Sequence, residues 1–216
     1  MIQVALVDDQ ELVRLGLRMV VESCDDMKIV AEAPDGEQAV ALVSRTPVDV
    51  VLMDIRMPRM DGVEATRRIL AAPGAPRVVV LTTFDLDEYA YAALRAGASG
   101  FLLKDATSAE VLTAIRAVHA GDAVIDPSTT RRMLDHLVRG RGPEVDEEAV
   151  SCLTDRERTV LLEIASGFTN PEITRRLQLS EATVKTHVGH ILAKLGLRDR
   201  VQIVIFAYDH GLVRPR

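Results

Sequence analysis

Acidic, hydroxyl and basic side chains follow the short apolar segments in the first half of the chain. Asp8 and Asp9 come directly after the first apolar segment, and Asp54 ends the third. Thr82 follows the fourth segment and Lys104 the fifth. Three carboxylates in one place raise one another's pKa unless a cation neutralises them, and Mg²⁺ is a hard cation that prefers oxygen ligands. With a hydroxyl and an ammonium beside them, these residues predict a site for a phosphoryl group, in which Asp54 attacks phosphorus.

Five apolar segments rich in Val, Ile and Leu have the pattern of strands that are buried on both faces. They are Ile2–Val7, Lys28–Ala33, Val48–Met53, Arg77–Leu81 and Gly100–Leu103. Segments of helical period alternate with them, at Gln10–Ser23, Glu37–Arg45, Val63–Ala71, Asp87–Ala96 and Ala109–Ala120. This alternation predicts an α/β fold: a doubly wound five-stranded parallel sheet with helices on both faces. In such a fold the polar residues that follow the strands meet at one edge of the sheet.

The net charge of −6 is unevenly distributed over the 216 residues. Residues 151–216 carry ten basic and seven acidic side chains, a net charge of +3, which leaves −9 for residues 1–150. The overall acidity therefore does not exclude nucleic acid as a partner, because binding depends on where the charge lies. The two cysteines fall one in each half, which excludes a disulfide framework. With no signal-peptide pattern and no apolar run long enough to span a membrane, we expect a cytoplasmic protein without a membrane partner.

The second half of the chain begins after a change in composition. Residues 121–149 are predicted to form a linker, with a helix at Ser128–Val138 followed by a Gly-Arg-Gly-Pro turn and an acidic run. The later segments have helical signals only. A capping box at 154–157 opens a first helix, Asn170-Pro171 opens a second, and the third and fourth are predicted at Glu181–Leu195 and Asp199–His210. We therefore expect a first domain over residues 1–120 and a small all-α four-helix domain over residues 150–214.

The predicted second and third helices of the small domain have the spacing of a helix-turn-helix, over residues 170–189. On the third helix an apolar stripe faces the core, made of Val184, Val188, Ile191 and Leu195. The opposite face has small residues, which allow close approach to a groove, and it is flanked by lysine and histidine side chains. This pattern favours contact with DNA over a merely solvated helix face.

The segment Val50–Gly62, taken with Asp8-Asp9, Thr82 and Lys104, resembles the receiver domain of bacterial two-component response regulators. The resemblance covers residues 1–120 and implies a flavodoxin-like fold. It implies that Asp54 accepts a phosphoryl group from the phosphohistidine of a sensor histidine kinase.

The same resemblance implies a ligand set and a switch. Asp9, Asp54 and the backbone carbonyl of Arg56 would ligate Mg²⁺, and Asp8 would contribute through water. Thr82 would move towards the phosphate, and Phe101, three residues before the lysine, would rotate inward as its aromatic companion.

Residues 150–213 closely resemble the LuxR-type DNA-binding domain, on motifs that begin at Leu153, Ala165, Thr183 and Ile191. A receiver joined to this domain is the architecture of the NarL/FixJ class of response regulators. The resemblance implies that Lys185 and Thr186 reach base edges in the major groove. The candidate DNA-binding residues are Asn170, Thr183, Lys185, Thr186, His187, Gly189, His190 and Lys194.

The predicted last helix is apolar on all sides, with more apolar surface than one small domain buries. In the resembled family this helix forms the dimer contact, and the candidate residues here are Val201, Val204, Ile205 and Tyr208. Full burial inside a single domain is the alternative. A symmetric dimer would bind two half-sites related by a two-fold axis.

The sequence therefore predicts a transcription factor, not an enzyme, in which phosphorylation of Asp54 promotes dimerisation and promoter binding. Three other hypotheses stay open. An Mg²⁺-dependent phosphatase would use Asp54 as nucleophile, although Arg56 stands where such enzymes carry a second acid. A flavin-binding module would need aromatic residues, and the chain has no Trp. A regulator of the same architecture could also respond to a ligand or partner without any phosphorylation.

Overall fold

The computed structural model of the protein describes residues 1–82, 87–121 and 146–213. The chain divides into two compact units, one that ends at residue 124 and one that follows it. The predicted helix at Ser128–Val138 and most of the predicted linker lie outside the described residues. Across the ranges that are described, no helix is both long enough and apolar enough to cross a membrane.

The N-terminal unit is a five-stranded parallel sheet with the strand order β2-β1-β3-β4-β5. Its elements are β1 (Ile2–Val7), α1 (Glu11–Glu22), β2 (Met27–Ala33), α2 (Gly36–Val43), β3 (Val50–Asp54), α3 (Gly62–Leu70), β4 (Arg77–Thr82), α4 (Asp87–Arg95), β5 (Gly100–Leu103) and α5 (Ser108–His119). This confirms the predicted doubly wound fold. The strand order reverses between β1 and β3, which is where such folds place their sites.

Both faces of the sheet are covered, as the continuous apolar strands predicted. Val4, Leu6, Val50 and Leu52 pack with the inner sides of α1 and α5 in one core cluster. The alternate strand residues are also buried, and α2, α3 and α4 lie against that other face. The central strands are therefore rigid supports for the residues at their ends.

Strand register brings the predicted polar residues to one edge. Val7 pairs with Met53, so the residues that follow β1 lie beside the end of β3. Thr82 pairs with Leu103, and the backbone N–H of Lys104 donates to the Thr82 carbonyl at 2.7 Å. The carboxyl ends of four strands thus meet at a single place.

The C-terminal unit contains four α-helices among its described residues, as the helical periodicity predicted. After a 3₁₀ turn at Glu148–Val150 come α6 (Asp155–Ala165), α7 (Asn170–Leu177), α8 (Glu181–Leu195) and α9 (Arg200–Asp209). The capping box between Thr154 and Glu157 is present at the start of α6. Gly196, with a φ of 64°, ends α8 in the left-handed conformation that glycine adopts readily.

These helices enclose a core of their own, and α7, the turn after it and α8 form the predicted helix-turn-helix. Ile173 on α7 and Val184 and Ile191 on α8 are completely buried. Val188 and Leu195 are partly buried against the same cluster, which completes the predicted stripe. Burial of this stripe leaves the opposite face of α8 at the surface.

Candidate functional site

The three predicted carboxylates lie together at the edge of the sheet. Asp8, Asp9 and Asp54 each offer a carboxylate oxygen, and these oxygens lie within 4.8 Å of one another. Asp8 and Asp54 are only 1% and 4% exposed, whereas Asp9 is exposed. The cluster arises because β1 and β3 are parallel neighbours in register, so their carboxyl ends coincide.

Lys104 binds this cluster. Its Nζ atom lies 2.7 Å from Asp8 Oδ2 and 2.9 Å from Asp54 Oδ2, so one ammonium bridges two buried carboxylates. Thr82, at the end of β4, and Phe101, on β5, are both buried. All of the residues predicted for chemistry therefore lie on strands, or directly after strands, that end at one edge of the sheet.

The surroundings of the site shift the pKa values of Asp54 and Lys104. Burial, helped by the charge of Asp8, raises the pKa of Asp54, although the hydrogen bond from Lys104 opposes the shift. For Lys104, burial lowers the pKa, but the hydrogen bonds to Asp54 and Asp8 outweigh it, and its pKa is raised. The lysine is therefore held in its charged form, and the carboxylates together have more negative charge than one ammonium neutralises.

The donor set suits a hard divalent cation. It consists of carboxylate oxygens from three residues, two of them on neighbouring strand ends. Asp8 Oδ2 is buried and lies against the Lys104 ammonium. Asp8 Oδ1 accepts from the Gln10 backbone N–H at 2.9 Å. A buried carboxylate oxygen that faces one ammonium, beside two more carboxylates, fits an Mg²⁺ ligand, directly or through water.

The segment between Asp54 and α3, residues 55–61, is the β3–α3 loop. It closes on itself, because the Gly62 N–H donates to the Ile55 carbonyl at 2.8 Å and the Met60 N–H donates to the Pro58 carbonyl at 2.8 Å. The predicted ligand in this loop is the Arg56 carbonyl. The backbone N–H of Arg56 is near enough to the Asp54 carboxylate to lower the pKa of Asp54, which partly opposes the effect of burial.

The side chain of Arg56 points to a different neighbour. Its guanidinium lies 5.2 Å from the centroid of the Tyr89 ring, a cation–π contact. The phosphatase hypothesis needs a proton donor at this position to protonate the leaving group. A guanidinium stays protonated at all working pH values, so it does not serve that role.

The site has a support that was not predicted from the sequence. Asp35, which is completely buried, caps α2 and receives the guanidinium of Arg59 in the β3–α3 loop. Burial alone raises the pKa of Asp35, but hydrogen bonds from Gln38 and Arg59 outweigh it and hold that pKa below its usual value. Arg59 has a φ of 67°, a conformation that costs a non-glycine residue about 1–2 kcal/mol. The two residues are 24 positions apart, and no local pattern connects them.

The exposed face of α8 is the candidate nucleic-acid interface. Lys185, Thr186, Gly189, His190 and Lys194 are exposed, and Asn170, Thr183 and His187 are partly buried. A Cβ at Gly189 would meet nothing within 4 Å, so a larger side chain would fit at this position. The candidate residues on α8 thus share one open helix face, whereas Asn170 begins α7.

Several of the candidate DNA-binding residues have partners inside the domain, and for Lys194 and Asn170 the partner lies on another helix. Lys194 Nζ lies 2.7 Å from Glu157 Oε2, and Glu157 is only 3% exposed. Asn170 Oδ1 accepts from Arg200 at 2.7 Å. Glu157 was predicted only as a capping residue, because an ion pair spanning 37 positions leaves no local signal. For Lys194 to reach a phosphate it would have to leave a nearly buried carboxylate.

Glu157 predicts an acid-sensitive domain. Hydrogen bonds from Lys194 and Thr154 lower its pKa from 4.5 to about 2. Because its folded pKa lies below its unfolded one, Glu157 stabilises the domain fully above about pH 4.5 and progressively less as the pH falls towards 2. We expect Glu157→Gln to lower the free energy of unfolding by about 2 kcal/mol at pH 6 and by much less at pH 3. Urea unfolding followed by the methyl NMR signals of Ile173 and Ile191 measures this domain alone.

Glu181→Gln is the control, because Glu181 forms an exposed ion pair with Lys185 at 3.0 Å. Such pairs contribute little, so this variant should match the wild type at both pH values. An equal loss of stability at pH 6 and pH 3 in Glu157→Gln would contradict the assignment.

The candidate dimer residues on α9 divide into two groups. Val201 and Ile205 are buried within the domain, whereas Val204 and Tyr208 are partly exposed. Ile203 and Ala207 are completely buried as well. Much of the apolar surface of α9 is thus covered by its own domain, and Val204 and Tyr208 have surface left for a partner.

A receiver-like α/β unit with an acidic site at its strand ends, followed by a four-helix unit with a helix-turn-helix, defines the class of DNA-binding response regulators. Residues 4–116 match the family of response regulator receiver domains, and residues 151–207 match the luxR family of bacterial regulatory proteins. The chain belongs to the response regulators with a LuxR-type DNA-binding domain, and it is a two-component transcription regulator.

Similar proteins have the same two-part organisation along their whole length. The uncharacterized transcriptional regulatory protein YxjL of Bacillus subtilis is 43% identical, over 99% of this chain and 98% of its own. The transcriptional regulatory protein LiaR of Bacillus subtilis is 39% identical, over 99% and 100%. The crystal structure of the response regulator ChrA, from a heme-sensing two-component system, is 36% identical with a TM-score of 0.53, over 98% of both chains. The relatives named here as regulatory proteins agree with the prediction of a transcription regulator.

Proposed function

We propose that this protein is switched by phosphorylation of Asp54 by a sensor histidine kinase and that the phosphorylated form dimerises on promoter DNA. The observation that carries the proposal is the bridging contact of Lys104, whose ammonium touches both Asp8 and Asp54. A structural ion pair needs one carboxylate for one ammonium. Here three carboxylates surround one lysine, an excess of negative charge that suits a bound cation.

Asp8, Asp9, Asp54 and the Arg56 carbonyl would hold Mg²⁺. The ion would neutralise charge on the transferred phosphoryl group and on the carboxylates around it. Asp54 supplies the attacking oxygen, and its negative charge is only partly offset by the lysine. Lys104 is placed to bind a phosphoryl oxygen after transfer, since its ammonium already lies 2.9 Å from the acceptor carboxylate.

Thr82 and Phe101 would transmit the change. Both are buried, on the paired strands β4 and β5, so a shift of the hydroxyl towards a phosphate frees space that the aromatic ring can enter. This is a two-state change in a packed core, which ligands bias through their different affinity for the two states.

The C-terminal domain would place α8 in the major groove, with Lys185 and Thr186 at base edges. The +3 charge of residues 151–216 is a small electrostatic footprint, and one internal ion pair already engages Lys194. A single domain should therefore bind weakly at physiological salt, and two joined copies should bind much more tightly. Val204 and Tyr208 of α9 would contribute to that contact.

The domain boundaries that we propose are 1–120 and 150–214. The function implies a cytoplasmic protein.

The test is labelling with a small phosphodonor. Acetyl phosphate with Mg²⁺ should add one acid-labile phosphoryl group to the wild type, and Asp54→Asn should reduce labelling at least about a hundredfold, because it removes the nucleophile. Intact-mass spectrometry with hydroxylamine treatment measures the product. The matched control is Asp61→Asn, which changes the capping residue of α3 outside the cluster and should be labelled like the wild type. Equal labelling of Asp54→Asn and wild type would reject the proposal.

Mapping of bound DNA across the genome, for wild type and Asp54→Asn, then tests the second half of the proposal. Sites that need Asp54 support phosphorylation-dependent dimer binding. Identical sites and occupancies would instead favour the regulator that does not use phosphorylation.

A further inference from the structure

We propose that Asp35 and Arg59 are positioning residues for the phosphoacceptor site. Their ion pair anchors the β3–α3 loop to the start of α2 and thereby sets the position of the Arg56 carbonyl. The affinity of the site for a divalent cation then depends on two side chains that are outside the ligand set. The inference rests on the proposed function, because it concerns the ligand that we assign to Arg56.

The carboxylate of Asp35 is held in a fixed position by burial and by its hydrogen bonds. It is completely buried, and its two carboxylate oxygens accept from the Gln38 N–H at 2.9 Å and from Gln38 Nε2 at 2.7 Å. The remaining donor is the guanidinium of Arg59. A buried carboxylate is costly without such partners, so the carboxylate of Asp35 favours the position in which Arg59 contacts it.

A backbone hydrogen bond joins the start of α2 to the β3–α3 loop, beside the ion pair. The Gly36 N–H donates to the Met60 carbonyl at 3.2 Å. A Cβ at Gly36 would lie 2.7 Å from that same carbonyl oxygen. The start of α2 and the end of the loop are thus in direct contact, and a glycine is needed at the point of closest approach.

The anchor is connected to the proposed ligand through a short, closed segment. Arg59 is three residues from Arg56, and the loop is held together by its own hydrogen bonds, Met60 to Pro58 and Gly62 to Ile55. A loop closed in this way moves as a unit. Displacement at Arg59 would therefore change the direction of the Arg56 carbonyl.

The conformation of Arg59 indicates that its side chain is needed. Its φ of 67° is one that glycine or asparagine adopts more easily. An arginine in this conformation is opposed by its own Cβ, and the ion pair with Asp35 holds it there. Its side chain is 54% exposed, so packing in the core does not account for its placement.

The test compares Arg59→Gln with Arg67→Gln in the full chain. Arg67 is a matched control, because it is similarly exposed and forms an ion pair with Glu64 on α3. Both changes remove one positive charge from the N-terminal domain, and by charge alone neither would weaken cation binding. We expect Arg59→Gln to weaken Mg²⁺ binding by about tenfold, as for residues that orient metal ligands, and Arg67→Gln to leave it unchanged or slightly stronger. Isothermal titration with MgCl₂ measures both.

Two further measurements separate positioning from loss of structure. Arg59→Lys keeps a cation for Asp35, whose contact with Arg59 uses one guanidinium nitrogen, and should recover part of the Mg²⁺ affinity that Arg59→Gln loses. In the metal-free protein, Arg59→Gln should speed hydrogen exchange of the Gly36 amide, which bonds to Met60, and leave the Val79 amide in the central sheet unchanged.

The outcomes are distinct. If the wild type binds Mg²⁺ and Arg59→Gln binds it equally well or more tightly, the positioning role is wrong and the proposed function stands. If the wild type shows no Mg²⁺ binding, the metal part of the proposed function fails, and the positioning role fails with it. Weaker binding in Arg59→Gln, with recovery in Arg59→Lys, supports the role.

Discussion

Gly62→Ala should destabilise the N-terminal domain by about 3 kcal/mol or more, because the added Cβ has no space. It would lie 2.0 Å from the Asp54 carbonyl oxygen and 2.9 Å from its carbonyl carbon, and both are backbone atoms that no rotamer change can move. The first turn of α3 would have to shift away from the acceptor residue. Urea unfolding, followed by the methyl NMR signals of Val79 and Ile115, measures the loss in this domain.

Gly16→Ala is the matched control for this substitution. Gly16 lies within α1, and a Cβ there would meet nothing within 4 Å. The same change should therefore stabilise the domain by about 0.5–1 kcal/mol, through helix propensity alone. If both variants changed stability in the same direction, the close approach at Gly62 would not be the cause.

Lys104→Met should have the second large effect. It should lower the free energy of unfolding of the N-terminal domain by about 3 kcal/mol at pH 7. The substitution leaves Asp8 and Asp54 buried beside each other without the ammonium that lies 2.7 and 2.9 Å from them. Two buried carboxylates without a counter-charge repel each other, and burial makes their charged forms costly. Urea unfolding of the same methyl signals measures the loss.

The pH dependence of Lys104→Met distinguishes charge from packing. The pKa of Asp54 is already raised by burial and by Asp8, and loss of the lysine hydrogen bond raises it further. A carboxyl whose folded pKa exceeds its unfolded pKa destabilises the fold once it ionises, so the deficit should shrink as the pH falls from 7 towards 3.8, the usual pKa of the group. Added Mg²⁺ should reduce it too. The control is Lys28→Met, at an exposed position on β2, which should change the free energy of unfolding little over the same pH range. A deficit independent of pH and Mg²⁺ would point to lost packing.

The candidate DNA-binding face is also affected by internal contacts. In the free protein the ammonium of Lys194 forms an ion pair with Glu157, and Asn170 Oδ1 accepts a hydrogen bond from Arg200. A contact from either to DNA must first break one of these interactions. Lys185 and Thr186 have their partners within α8 itself, Glu181 at 3.0 Å and the Ala182 carbonyl at 3.0 Å, so a contact from these two residues to DNA would not break a link between helices.

The arrangement of strands and helices was largely predictable from local pattern. Strands that are buried on both faces appear in the sequence as continuous apolar runs. The observed bounds of the strands differ from the predicted ones by at most two residues. The largest difference is at β3, which was predicted at Val48–Met53 and lies at Val50–Asp54. The meeting of Asp8, Asp54, Thr82 and Lys104 followed from topology, because all parallel strands end at the same edge. No side-chain geometry was needed for that prediction.

The long-range ion pairs near the acidic cluster and on α8 were not predictable in this way. Asp35 with Arg59, and Glu157 with Lys194, join residues that are 24 and 37 positions apart, and each partner is of a type that is common on protein surfaces. Their importance comes from burial of the acid, which depends on how helices pack on the rest of the fold. Sequence periodicity records which face of an element is apolar, but the pairing of distant charges depends on distances of a few ångströms that exist only after the elements have packed.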